Sequence, residues 1–231
     1  MQLCAITDRR RLSPATQPDA GPSEAALRQR LFGLVEGWTT GGVDFIQLRE
    51  KDLDPPQLQS IARKTMEKID RNRSKLLVNV ATAESAAVAL AAGADGVHLS
   101  GRPAPGAARS VRQAFRAGGR EAIISVPCHG LEDIYMAVKE QVDLLLFSPV
   151  FEKLSGLEVS PPQGLEALRR ACATAQGIPV FALGGVTSAN TSDCLAAGAA
   201  GVAGIRLFAG DEWRRLKASQ HQREETSHGF L

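Results

Sequence analysis

Eight short apolar runs separated by stretches of helical period constrain this chain more than anything else in it. The runs are Leu3–Ile6, Val43–Leu48, Leu76–Asn79, Gly96–Leu99, Ala122–Val126, Val142–Phe147, Pro179–Leu183 and Gly201–Ile205. Between them, apolar residues recur at helical spacing over 23–38, 55–70, 83–92, 106–117, 131–139, 163–175 and 188–197. Strict alternation of strand and helix specifies a parallel sheet, since neighbouring parallel strands need a crossover and each helix supplies one. An internal echo supports this. Ala92-Gly93-Ala94-Asp95-Gly96-Val97 resembles Ala197-Gly198-Ala199-Ala200-Gly201-Val202, and Gly41-Gly42-Val43-Asp44 is a weaker copy. In each, a helix stops at a glycine and a strand starts within a few residues. The expected fold class is α/β, a single (β/α)8 TIM barrel over residues 1–216, with a flexible polar tail at 217–231. An open doubly wound sheet is the competing architecture.

Composition narrows the function classes. With 231 residues, 27 Lys plus Arg and 25 Asp plus Glu, the net charge is +2, too small for a nucleic-acid footprint, and no basic stretch is interleaved with aromatics. No run approaches the ~18 apolar residues of a membrane span, so no membrane partner is expected. Cys4, Cys128, Cys172 and Cys194 are far apart with no Cys-x-x-Cys spacing, which argues against zinc or a redox pair and makes a reducing cytoplasm the expected setting. A homo-oligomer is left open, because the outer helices show no convincing seam.

Barrel enzymes react at the C-terminal ends of their strands, so the residues after each apolar run carry the functional reading. Three long loops lie on that face, Asp8 to Pro22, Ser100 to Gly106 and Ser148 to Gly164, as lids or binding loops would. The second run ends Gln47-Leu48-Arg49-Glu50-Lys51, and period-two geometry turns Gln47, Arg49 and Lys51 to one side. An amide and two cations there suit a phosphate, diphosphate or carboxylate; the competing reading is a solvated charge run. Glycines after the seventh and eighth runs, Gly184-Gly185 and Gly204 before Ile205-Arg206, let backbone N–H groups approach a phosphate, aided by a following short helix. Asn79 places a neutral amide at the mouth. His98 reads as a hydrogen-bonded interior histidine, whereas His129, just after the fifth run, is the candidate acid–base group, with helix capping as its bland alternative. A nucleophilic Cys128 is disfavoured, having no activating partner besides its own neighbour.

Ile6-Thr7-Asp8, Gln47-Leu48-Arg49-Glu50-Lys51, Asn79, Gly96-Val97-His98-Leu99, His129, Pro149-Val150-Phe151, Ala182-Leu183-Gly184-Gly185-Val186 and Gly201-Val202-Ala203 together resemble the thiamine phosphate synthase/TenI superfamily. The resemblance spans all eight strands. It implies a barrel holding a phosphorylated thiazole, with its phosphate on Gly184-Gly185 and on the Ile205-Arg206 backbone. In the synthase branch, thiazole phosphate attacks a pyrimidine-methyl diphosphate, with Mg²⁺ held by acids after strands 3 and 4. Here those places read Asn79-Val80 and Ser100-Gly101-Arg102-Pro103, and no carboxylate occurs between Leu99 and Arg120. Pro127 stands where a serine is expected, and the Thr-x-Thr-Lys loop reads Lys153-Leu154-Ser155-Gly156, leaving Ser155 as the substrate-binding hydroxyl. His129 and Phe151-Glu152 instead match TenI-type thiazole tautomerases. The resemblance therefore implies, first, a metal-independent tautomerase aromatising a carboxythiazole phosphate through His129, with no cofactor. Its alternatives are a thiamine phosphate synthase, with Mg²⁺, or a non-catalytic regulator that binds thiazole or thiamine phosphates.

Overall fold

The computed structural model describes residues 1–12, 22–152 and 161–217. In chain order the elements are β1 (Gln2–Ile6), α1 (Glu24–Thr40), β2 (Phe45–Leu48), α2 (Pro55–Met66), β3 (Lys75–Val80), α3 (Ala86–Ala92), β4 (Gly96–Leu99) and α4 (Ala107–Ala117). There follow β5 (Ile123–Cys128), α5 (Leu131–Lys139), β6 (Leu144–Phe147), α6 (Gly164–Thr174), β7 (Val180–Ala182), α7 (Thr191–Ala196), β8 (Gly201–Gly204) and a 3₁₀ turn at Arg206–Phe208. Each strand pairs in parallel with the next, and β8 returns to β1 with Gln2 opposite Gly201 and Ala5 opposite Gly204. The sheet is a closed barrel, which removes the open doubly wound alternative. Each strand overlaps its expected apolar run, although β1, β3 and β5 reach one or two residues beyond theirs, and local caps set the starts of two helices. Asp54 and Gln57 form a reciprocal capping box ahead of Pro55, and the Ser23 hydroxyl accepts the Ala26 N–H. Of the expected tail, Lys217 bonds Asp44 at 2.9 Å, and 218–231 lie outside the described residues.

The echoed Asp has a structural task. Asp44, Asp95 and Asp143 each stand just before an even-numbered strand and accept, through a carboxylate oxygen, the N–H of Leu3, Leu76 and Ile124 on the preceding strand, at 2.8–2.9 Å. Each returns its own N–H to the same residue's carbonyl. These clips tie β1 to β2, β3 to β4 and β5 to β6 at the N-terminal rim, where parallel ladders would leave unpaired donors.

Alternation along the strands then sorts the side chains. Cys4, Ile6, Leu77, Leu144, Leu146, Phe181 and Ala203 point inward and form a cluster of their own, joined by Phe45 and Ile123. Phe45 and Phe181 meet edge to face with centroids 5.8 Å apart, filling the lower barrel. The outward residues make the larger core against the helices, sealed near the C-terminus by Trp38, Phe208 and Trp213, with the Trp38 indole N–H donating to the Phe208 carbonyl.

Two glycines give opposite expectations. A Cβ on Gly201 would lie 2.1 Å from the Gln2 carbonyl oxygen and 2.9 Å from the Phe181 ring, while one on Gly33, mid-helix in α1, meets nothing within 4 Å. In urea unfolding, Gly201→Ala is expected to lose ~1–3 kcal/mol by overpacking, and Gly33→Ala to gain ~0.5–1 kcal/mol.

Candidate functional site

Two residues further along four neighbouring strands, the inward positions change character. Phe45 is followed by Gln47, Leu77 by Asn79, Gly96 by His98 and Ile123 by Ser125. The register places Asn79 opposite His98, and His98 opposite Ser125. Gln47 Nε2 donates to Asn79 Oδ1 at 3.1 Å, and His98 Nδ1 lies 2.9 Å from the Ser125 hydroxyl. Gln47 Oε1 is buried without a protein partner. Exchanging the amide's oxygen and nitrogen would only orphan the other atom, so one polar atom of Gln47 stays buried and unpaired either way. Burial, reinforced by the positive charge of Arg49, pushes His98 down to about 3, and the ring is neutral. The interior, hydrogen-bonded histidine expected from sequence is what the barrel contains.

Arg49, two residues past Gln47, reaches this layer from above. Its backbone N–H donates to the Thr7 hydroxyl at 2.9 Å, and its Nη1 stands 3.7 Å from Asp8 Oδ2. Lys51 does not converge with it: β2 ends at Leu48, and Lys51 is exposed in a turn, so strand periodicity no longer governs where it points. The neighbouring Glu50, unremarked in sequence, is buried and bound to Arg9 Nη1 at 2.8 Å. Burial pushes its carboxyl up, against the opposing pull of Thr7 and Arg9.

His129 follows β5 on the mouth face and is exposed. Its Nδ1 lies 2.8 Å from the Ser148 carbonyl oxygen, which can only accept, so Nδ1 carries the proton and Nε2 keeps the lone pair in the neutral ring. Gln163 Nε2 donates to that same oxygen at 2.8 Å, and Asp133 accepts the His129 backbone N–H at 2.7 Å. Cys128 is buried, and burial, with a lesser contribution from Asp133, raises its thiol to about 12, which removes it as a nucleophile.

On the opposite wall, Gly184 and Gly185 adopt φ of 91° and 67°, and a Cβ on either would strike the backbone of Pro149 or Glu152. Asn190 pins the turn, donating from Nδ2 to the Gly185 carbonyl and accepting the Thr187 N–H. Among the described residues, the N–H groups of Gly184, Gly185 and Val186 have no protein acceptor. β8 pairs beside β7, so Ile205 and the exposed Arg206 border this loop. The helix expected to assist is minor: the element directly after β8 is a 3₁₀ turn of three residues, and α7 has six. Ser155 lies outside the described residues.

The family model described as thiamine monophosphate synthase matches residues 21–208. The chain belongs to that family. Among its relatives, a protein of Geobacter sulfurreducens named putative thiamine-phosphate synthase is 41% identical over 189 residues, covering 81% of this chain and 84% of the relative. A thiamine-phosphate synthase of Methanoculleus marisnigri is 36% identical over 171 residues, covering 74% and 76%. The solved thiamine phosphate pyrophosphorylase from Pyrococcus furiosus superposes with a TM-score of 0.70 at 25% identity, over 100% of this chain and 97% of that one. These relatives are named for coupling, so the comparisons favour the synthase reading over the tautomerase that Val80 and His129 suggest. No described helix is long and apolar enough to cross a membrane.

The magnesium positions of the synthase branch do not fit that ion here. Val80 is 3% exposed in the apolar core, and the Ser100 hydroxyl donates to the Val80 carbonyl. Arg102 pairs instead with Glu132 at 3.3 Å and Asp133 at 3.1 Å. Among the described residues no three His, Cys, Asp or Glu gather as a metal cluster. Mg²⁺ prefers hard oxygen ligands, and an apolar side chain and a guanidinium at these places supply none.

The neutral His98 carries a pH expectation. Its folded value of about 3 lies below the ordinary 6.5, so its stability contribution is complete above pH 6.5 and is lost as pH falls toward 3. Between pH 7.5 and 5, His98→Gln is expected to lose ~2 kcal/mol less than the parent protein in urea unfolding. Equal losses would show that the imidazole is not held neutral.

Proposed function

We propose that this protein is a thiamine-phosphate synthase, joining a pyrimidine-methyl diphosphate to thiazole phosphate. The reading is carried by Arg49, whose backbone N–H is held by the Thr7 hydroxyl and whose guanidinium stands beside Asp8 above a neutral polar layer, across the barrel from a glycine turn whose N–H donors are unpaired among the described residues. One anion grip suits a diphosphate and the other a monophosphate. The names of the relatives support the same assignment.

The reaction asks for charge stabilisation more than for proton transfer. The thiazole nitrogen attacks the pyrimidine methylene carbon, and the carbon–oxygen bond breaks. The diphosphate departs with the bonding electrons, and the ring nitrogen becomes cationic. No proton moves in that step. Arg49 meets the charge that grows on the leaving diphosphate, while the Gly184–Val186 turn and the Ile205-Arg206 segment hold the thiazole phosphate. Gln47 offers its unpartnered amide atom to the pyrimidine side, and Asn79 fixes the amide's orientation. Lys51 lends positive charge from the rim. In family members that hold magnesium, the ion neutralises diphosphate; no step here is assigned to it.

A second reading rests on His129. The Ser148 carbonyl fixes the Nδ1–H tautomer and presents Nε2 as a base, the arrangement that shifting a ring proton within a carboxythiazole phosphate would use.

Turnover of the two synthase substrates, followed as thiamine phosphate with added Mg²⁺ and with chelator, separates the readings. Coupling is expected in the parent protein, lowered ~10²–10³-fold in Arg49→Ala and within about tenfold of the parent in His129→Asn. If coupling is absent and isomerisation of the carboxythiazole phosphate falls ~10²–10⁴-fold in His129→Asn, the protein is a tautomerase. Ligand binding with neither turnover would make it a non-catalytic regulator.

A further inference from the structure

Arg9 is the most completely satisfied charged group described. Its side chain is 1% exposed, and all five of its guanidinium N–H groups have acceptors. Nε and Nη2 donate to the two Glu24 oxygens at 3.0 and 3.1 Å; Nη1 and Nη2 donate to the two Asp52 oxygens at 2.7 Å; Nη1 also donates to Glu50 at 2.8 Å. Arg28 on Glu24 and Arg10 on Asp52 balance the remaining carboxylate charge, so three cations meet three anions and the cluster is neutral. A neutral cluster adds no repulsion toward an anion next to it. Enclosed as it is, Arg9 does not touch a ligand in the mouth.

Its effect runs through the backbone. Past the last rungs of the β1–β2 ladder, the two segments stay joined by one backbone bond and by side-chain bonds. Thr7 N–H donates to the Gln47 carbonyl at 2.9 Å, Arg49 N–H donates to the Thr7 hydroxyl at 2.9 Å, and Arg9 N–H meets both Glu50 carboxylate oxygens at 3.2 Å. Thr7-Asp8-Arg9 and Arg49-Glu50 are thereby clamped as a pair, with Arg49 between two fixed points and Asp8 beside its guanidinium. We infer that Arg9, through the carboxylate of Glu50, is a positioning residue for Arg49 as an anion-binding group. The inference rests on the proposed diphosphate role of Arg49.

Affinity for inorganic pyrophosphate, measured by titration calorimetry in chelator on the full chain, tests it. Variants are Arg49→Ala, Glu50→Gln, their double variant and Arg9→Lys, each with a thermal melt. Arg49→Ala is expected to weaken binding about tenfold or more, and Glu50→Gln and Arg9→Lys by several-fold, since a lysine keeps the charge but not the fork. The double variant is expected to bind no more weakly than Arg49→Ala alone, because Glu50 acts only through Arg49. A loss of stability alone would lower the melting temperature and leave the affinity of the folded fraction unchanged. Unchanged affinity in folded Glu50→Gln overturns the inference, as does a full further loss in the double variant. Where Glu50→Gln does not fold, unchanged affinity in Arg9→Lys overturns it equally. If the parent protein does not bind pyrophosphate, or Arg49→Ala binds it as well as the parent, the diphosphate reading itself falls, a distinct result that also removes the inference.

Discussion

Closing eight parallel strands gives each of them one inward face, and only alternate residues occupy it. The rest of the molecule depends on how that limited interior is filled. Toward the N-terminal rim it holds apolar groups packed around the Phe45–Phe181 contact. One pleat higher, on four adjacent strands, it holds Gln47, Asn79, His98 and Ser125, and these bond in two pairs. A polar layer is tolerable inside a barrel only when its members satisfy each other, and what they leave unpaired is a single buried atom of Gln47. The enclosure that makes the layer costly also keeps His98 uncharged.

The rim divides into two chemically different walls. On the β1–β2 side, side chains supply the charge, and a long-range salt-bridge cluster around Arg9 holds them. On the β7–β8 side, the backbone supplies the donors, and glycine geometry exposes them, because any side chain at Gly184 or Gly185 would collide with the segment after β6. A buried salt-bridge cluster contributes little net stability for its size, since desolvation offsets most of the attraction. Its value lies in fixing one arrangement of two loops that strand pairing no longer reaches.

The barrel was legible because its signals are local: apolar runs, helical spacing and glycine stops each act within a few residues. Gln47, Asn79 and the glycine turn were legible for the same reason, since strand ends and period-two parity place them. Lys51 misled because parity was carried past the last strand residue into a turn. Glu50 was missed because it sits in what reads as a solvated charge run, and its partner Arg9 is 41 residues away. The proton position on His129 depends on a backbone carbonyl 19 residues on, which no side-chain pattern announces. The branch of the family was the least legible, since Val80 and Arg102 speak about metal ligands while the relatives' names speak about coupling.

The aspartates under the second, fourth and sixth strands have a consequence for how such a barrel can diversify. They anchor strand register at the floor, far from the opening, so register does not lean on which residues occupy the upper lip. An apolar Val80 and a cationic Arg102 can therefore stand where the family resemblance led one to expect acids without any strand sliding, and the lip is free to trade one means of neutralising an anion for another while the stave arrangement beneath it endures.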